Sequence, residues 1–277
     1  SSNPIDNLQP GQWYEVPNSN VSAIDPCPAR NCNYSGTGGQ KDVIRSWSGG
    51  AYDTKRDQLI IWGGGHASYY GNELYGFSVN TLKWAMLTTP STNISIDGEA
   101  YPDGRPNARH TYSGVLYAAN VDRFWASSGS VGGNGGCSSG TWMYDFSALP
   151  PESGWAQQAG YPGEGKCGAS SAYDPATGLV WFSGKAGLYT FNLNNLIAPW
   201  VQHNSEILVP LYQSAAIDTK RKKLVMIGGG YAFIHDISSS GTVLRQNMTT
   251  SGAKEIENVG APGLAYDPVS DRMVAWN

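Results

Sequence analysis

The stretch Ser48-Gly49-Gly50-Ala51-Tyr52-Asp53, followed by Gln58-Leu59-Ile60-Ile61-Trp62-Gly63-Gly64, decides the fold. Small residues lead into an aromatic, an acidic turn follows, and an apolar β-forming run ends in paired glycines. The phrase returns from Gly114 to Asn120 with Arg123-Phe124-Trp125-Ala126, and again as Ser171-Ala172-Tyr173-Asp174 with Leu179 to Gly184. Further copies are Ala215-Ala216-Ile217-Asp218 with Lys223 to Gly229, and Leu264-Ala265-Tyr266-Asp267 with Arg272 to Trp276. The turn residues stand at 53, 120, 174, 218 and 267, so the spacings are 67, 54, 44 and 49.

Each gap has room for two more strands. An aromatic-rich third strand is predicted over Glu73–Phe77, Trp142–Phe146, Gly187–Phe191 and, less regularly, Tyr231–Ile237, and a fourth is marked by Trp84, Trp155 or Trp200. Four short strands repeating at a period near 50 describe a propeller blade. Inner strands crowd the axis and need Gly, Ala and Ser, whereas second strands lie between neighbouring blades and need Ile, Val, Leu and Trp. Asp and Asn hold the hairpin turns by side-chain hydrogen bonds. The expected fold is therefore an all-β, single-domain β-propeller over 1–277, with five repeat starts near 48, 112, 169, 212 and 262.

The repeat resembles the Kelch family. The resemblance rests on Gly63-Gly64 and Gly228-Gly229 after the second strand, on Tyr75, Tyr144 and Tyr189 in the third, and on the Trp of the fourth. It runs from Trp47 onward and departs at Ser128-Gly129 and Ser183-Gly184, where one glycine is replaced. Such a resemblance implies a fold rather than a function, because propellers carry enzymes, glycan binders and scaffolds alike.

Gln12-Trp13-Tyr14-Glu15-Val16 reads as an outermost strand that closes the ring, and the fifth repeat stops after its second strand. Together these predict a fragment of a six- or seven-bladed ring, against a five-bladed ring or completion by another chain.

Charged residues make up 14% of the chain, with 35 Gly, 10 Trp and 16 Tyr, which disfavours a helical bundle or a disordered chain. A net charge of −4 gives no reason to expect nucleic acid as partner, and no apolar run is long enough to span a bilayer. Cys27, Cys32, Cys137 and Cys167 fall in loops without Cys-x-x-Cys spacing, which favours disulfides and a secreted or extracellular protein, the periplasm or cell surface included. Cys137 and Cys167 fall on one face in adjacent blades and suit a pair; Cys27 with Cys32 closes a short local loop.

Loops from second to third strand, and linkers between blades, emerge on one face of a propeller. That rule gathers His66, Tyr70 and Asn72 from the first loop, and Arg45, Arg109, His110 and Tyr112 from the linkers. Lys166, Tyr212 and Tyr231 come from further round. Ionisable and phenolic groups converging near a concavity mark a candidate site. His66, His110, Tyr70 and Tyr112 are the candidate catalytic groups, and Arg45, Asn72, Arg109, Lys166 and Tyr231 the candidate substrate-binding ones. Arginine pairs bidentately with carboxylates, which suits an acidic sugar. No metal or other cofactor is expected, since two histidines lack a third ligand at diagnostic spacing. The copper–tyrosyl oxidases built on Kelch-like propellers need a Cys–Tyr cross-link that cannot be identified here. His203 and His235 read as structural. Gly129–Gly140 lacks the features of a phosphate loop and reads as a long mobile loop.

Three functions remain open at this point. The first is a secreted binding propeller for a glycan or extracellular protein. The second is a carbohydrate-active enzyme, a polysaccharide lyase on an acidic glycan. The third is an extracellular structural subunit.

Overall fold

The computed structural model describes residues 3–163, 167–207, 212–252 and 254–277. Four four-stranded antiparallel sheets and a fifth two-stranded one follow each other along the chain. Blade one comprises Gly50–Asp53, Gln58–Ile61, Tyr75–Ser78 and Lys83–Met86. Blade two comprises Val115–Ala118, Arg123–Ser127, Thr141–Asp145 and Trp155–Gln158. Blade three is Ser170–Asp174, Leu179–Gly184, Gly187–Asn192 and Val201–Asn204, and blade four is Ser214–Asp218, Lys223–Gly228, Tyr231–Asp236 and Arg245–Asn247. The hairpin Gly263–Asp267 and Arg272–Trp276 forms the fifth unit. This is the propeller-like, all-β architecture expected from the repeat.

The inner strands of successive blades lie side by side, as the need for small residues predicted. Ser113 and Ser170 form a parallel bridge, and the Ser113 and Ser214 hydroxyls meet at 3.3 Å. A Cβ on Gly49 would sit 2.2 Å from the Tyr112 carbonyl, so that position tolerates no side chain.

Between blades the second strands sort their side chains by strand parity. Ile60 and Trp62 pack on Val115, Tyr117 and Phe124 of blade two. Trp125 packs on Val180, Phe182 and Phe191 of blade three, and Trp181 on Ile217, Leu224 and Met226 of blade four. One parity of each strand thus faces the following blade and the other the preceding one. On the upper part of blade one, the preceding-side face is covered by the chain's first 43 residues, through Val21, Cys27, Tyr34 and Val43 against Ile61, Tyr69 and Tyr75.

Two features differ from expectation. Gln12–Val16 forms no ladder with any described strand, and Trp13 is exposed; its alternation is that of a strand, but no sheet edge pairs with it. Gly129–Gly140 is not simply a loop. Ser130–Val131 and Gly136–Cys137 form a hairpin that extends onto Arg109–His110, giving a small three-stranded sheet. The linker before blade one ends in a helical turn, Asp42–Arg45. Both disulfides are present, Cys27–Cys32 and Cys137–Cys167, and among the described residues no cysteine is free. No helix among these residues is long and apolar enough to cross a membrane.

Candidate functional site

The linkers into the inner strands repeat a backbone oddity. Trp47, Tyr112, Tyr212 and Ala261 all have positive φ, at 47°, 48°, 71° and 49°, each two or three residues before its blade's first strand. The turns interlock: the Tyr112 amide donates to the Trp47 carbonyl at 2.7 Å, and the Ala261 amide to the Tyr212 carbonyl at 2.5 Å. Bulky side chains seldom occupy this region, where glycine is the default. His66, in the first loop, shares it at 49°.

These strained positions bring their rings together. His110 lies 5.1 Å from both the Trp47 and the His66 rings, Tyr112 lies 6.2 Å from His110, and Tyr212 lies 5.3 Å from Tyr112. Two of the five rings, Trp47 and Tyr112, line a cavity of about 580 Å³, and the other three join them through the ring contacts. Arg45, Trp47 and Tyr112 line it above; Ser113, Ser171 and Ser214 line it along the axis. It continues sideways between Leu59 and Ile61 of blade one and Leu264 and Trp276 of the fifth unit. Trp47, His66 and Arg45 are exposed, Tyr112 and Tyr212 half-buried, and His110 buried.

Burial, and then the neighbouring His66, push the His110 imidazole down to about 4, so it is neutral near pH 7. Its Nε2 is buried without a hydrogen-bond partner. Burial, and then the charge and hydrogen bond of Tyr212, push the Tyr112 phenol up to about 12. Tyr112 therefore keeps its proton and can donate it, while His110 can only accept one.

The Gly129–Gly140 hairpin forms the roof. His110 pairs with Ser130 in its small sheet. A Cβ on Gly135 would come within 2.2 Å of the His66 Nε2, so this glycine lets the backbone lie directly on the imidazole. The Cys137–Cys167 disulfide ties the hairpin to the linker before blade three. Tyr70 lies under the same hairpin, its hydroxyl facing Gly133, and its own carbonyl accepts from the Tyr101 hydroxyl at 2.6 Å.

The other expected binding residues lie elsewhere. Arg109 is buried and spent on internal partners: Glu99 at 2.8 Å, the Ser128 carbonyl at 3.1 Å and the Ser138 hydroxyl at 3.2 Å. It sits beside His110 in sequence, but strand alternation turns it to the opposite side. Asn72 is fully buried, donating to the Pro106 carbonyl and accepting from the Ser91 amide, and so staples two loops. Tyr231 starts the third strand of blade four and stacks on Phe233 at 5.4 Å, apart from the five-ring cluster. Lys166 lies outside the described residues.

His203 and His235 have structural surroundings. His203 stacks on Trp181 at 4.5 Å between the Thr190 hydroxyl and the Gly241 carbonyl, and His235 is buried and pushed down to about 4 by burial. Among the described residues no group of three or more His, Cys, Asp or Glu is placed to hold a metal ion. Trp47 was not legible as a site residue; its signal is its place in register with Tyr112 and Tyr212 ahead of the inner strands.

No protein-family model matches the chain, and no curated protein sequence matches it. Among solved structures the chain is similar to TolB from Acinetobacter baumannii, with a TM-score of 0.45 at 10% identity over 79% of this chain and 48% of that one. The chain thus spans about half the length of that protein.

Proposed function

We propose that this chain is a secreted, Kelch-like propeller that binds an acidic glycan at the mouth of its axial cavity. One observation carries the reading: aromatic side chains at strained linker positions converge there instead of packing between blades. An exposed Trp47 offers a face on which a sugar ring stacks. Arg45, on the same rim, offers a planar fork to a carboxylate. His66, Tyr112 and Tyr212 supply hydrogen bonds to hydroxyls, with Tyr70 on the flank. Two disulfides suit an oxidising compartment outside the cytosol.

The His110–Tyr112 pair favours a second reading, a polysaccharide lyase on a uronate-containing chain. In that chemistry a base, served here by His66 or His110, removes the proton α to the carboxylate. The electron pair forms a carbon–carbon double bond, the glycosidic C–O bond breaks, and Tyr112 gives its retained proton to the leaving oxygen. Arg45 neutralises the carboxylate, which makes the α-proton more acidic.

The test is calorimetric titration of the protein with acidic and neutral polysaccharides, alongside ultraviolet absorbance from unsaturated sugar ends. Binding that is lost in Trp47→Ala and Arg45→Ala supports recognition, and new absorbance that vanishes in Tyr112→Phe establishes the lyase. Absence of both signals on acidic glycans refutes both readings and turns the search to protein partners.

A further inference from the structure

The turn Asp53-Thr54-Lys55-Arg56 in blade one recurs residue for residue as Asp218-Thr219-Lys220-Arg221 in blade four. Both copies do the same thing. Arg56 binds its own Asp53 at 2.9 Å and reaches across to Asp122 of blade two at 2.8 and 2.9 Å. Lys55 joins the same carboxylate at 2.6 Å, and the Tyr117 hydroxyl donates to it at 2.9 Å. Arg221 binds Asp218 at 2.8 Å and Asp271 of the fifth unit at 2.7 and 2.8 Å; Lys220 and the Tyr266 hydroxyl complete that cluster at 2.5 and 2.9 Å. Each staple has a Lys-Arg donor on one blade and a Tyr–Asp acceptor on the next, the Asp in the left-handed conformation just before the second strand.

Blade one carries a third acceptor. Tyr52 and Asp57 occupy the register places of Tyr117 and Asp122, Asp57 has φ 48°, and the Tyr52 hydroxyl donates to it at 3.3 Å. No described lysine or arginine pairs with Asp57. The fifth unit cannot supply one, because Val269 and Ser270 stand where the donors would be. The apolar surface beside this acceptor is also bare. Leu59 is 38% exposed, whereas its register equivalents Phe124, Val180 and Leu224 are at most 1% exposed against the preceding blade. Tyr52 is 46% exposed and Tyr117 8%. Across the cavity, Val274 and Trp276 of the fifth unit are 45% and 52% exposed on the parity that faces a following blade.

We propose that the open lower side of blade one seats the first hairpin of a further propeller blade, one carrying a Lys-Arg turn and contributed by polypeptide outside residues 1–277. Its Lys-Arg pair closes on Asp57 and Tyr52, and its second strand covers Leu59. The staples lie at the ends of the inner strands away from the aromatic linkers, and the seated hairpin would close the sideways extension of the cavity at Leu59 while leaving Trp47 and Arg45 at its mouth.

Zero-length carbodiimide coupling tests it, because the reagent joins carboxylates only to amines in contact. It is applied to the protein isolated from its natural source at its natural length, and the peptides are read by mass spectrometry. Lys55–Asp122 and Lys220–Asp271 serve as internal controls. The expected product joins Asp57 to a lysine, followed by arginine, from outside residues 1–277. Asp57 left uncoupled while both controls form, or coupled to a lysine within these 277 residues or a second copy of them, overturns the proposal. A second measurement uses Asp57→Lys. It is expected to lower the melting temperature of the natural-length protein by several degrees and leave that of the 277-residue chain unchanged; equal effects in both overturn the proposal.

Discussion

Arg109→Met separates the two roles open to that arginine. The guanidinium is buried among Glu99, the Asn107 and Ser128 carbonyls and the Ser138 hydroxyl, and lies 5.6 Å from the Trp62 ring. Glu99 in turn accepts from the Trp142 indole at 2.6 Å and from Ser138. Methionine keeps the volume and removes the charge, leaving a mostly buried carboxylate without its cation. Breaking a buried pair from one side costs about 3–5 kcal/mol, and at about 2–4 °C per kcal/mol for a domain of this size the melting temperature falls by about 6–20 °C.

The pH dependence adds a second readout. Burial works to raise the Glu99 carboxyl, but Arg109, Ser138 and Trp142 outweigh it and hold the group below its usual value of 4.5. A depressed carboxylate stabilises the fold above its unfolded pKa, and that stability is lost as pH falls through the folded value. Wild type should therefore lose melting temperature below pH 4.5, and Arg109→Met should lose less over the same window. The double variant Arg109→Met/Glu99→Gln should recover much of the loss, because no uncompensated charge remains. Thermal unfolding followed by circular dichroism reads all three. An Arg109→Met protein that melts like wild type but fails to bind acidic glycan would refute the structural role and return this arginine to the ligand.

Three further outcomes follow from the site. Cys137→Ser/Cys167→Ser frees the hairpin over His66: the melting temperature should drop by an amount corresponding to about 3–4 kcal/mol for a closed loop of this length, and glycan binding measured by calorimetry should weaken with it; unchanged binding would mean the roof does not shape the site. His110 and His235 are buried neutral with values near 4 against 6.5 unfolded, so each contributes up to about 3 kcal/mol that is complete above pH 6.5 and lost toward pH 4; His110→Gln should flatten that part of the stability–pH curve, and an unaltered curve would refute the assignment. Tyr212→Gly relieves a left-handed tyrosine but loses its ring contact, so stability should stay within about 1 kcal/mol while glycan affinity falls about tenfold or more; unfolding in place of a binding defect would show that Tyr212 is packing.

The blades were legible because each strand type answers to one constraint visible in its residues. The run Leu59-Ile60-Ile61-Trp62 suits a strand with apolar neighbours on both faces, and the Tyr-Asp and Asp-x-x-x turns mark its partner. The small sheet around His110 was not legible, since strands of two residues among glycines carry no periodicity. Gln12–Val16 alternates as a half-buried strand does, but alternation alone names no partner, and no described strand pairs with it. Arg109 and Asn72 were legible as polar groups in loops near the site, yet sequence does not tell a polar group facing a ligand from one holding a neighbouring loop. The repeated Asp-Thr-Lys-Arg turn was present in the sequence, and its meaning appeared only once Asp122 and Asp271 were seen opposite it.

The left-handed linkers show where packing ends and the site begins. The turn recurs ahead of four of the five units, and Ala261 adopts it with only a methyl group, so it does not depend on an aromatic side chain. Glycine would satisfy the geometry without strain, and each non-glycine residue there costs about 1–2 kcal/mol. Packing between blades does not repay this cost at 47, because the Trp47 ring is exposed, and Tyr112 and Tyr212 chiefly contact each other and His110. Interblade packing therefore does not account for the aromatic residues at 47, 112 and 212. Trp47 and Tyr112 line the cavity mouth beside Arg45, and the acidic glycan of the proposed function, with flat apolar faces and hydroxyl edges, is the kind of ligand these groups would serve.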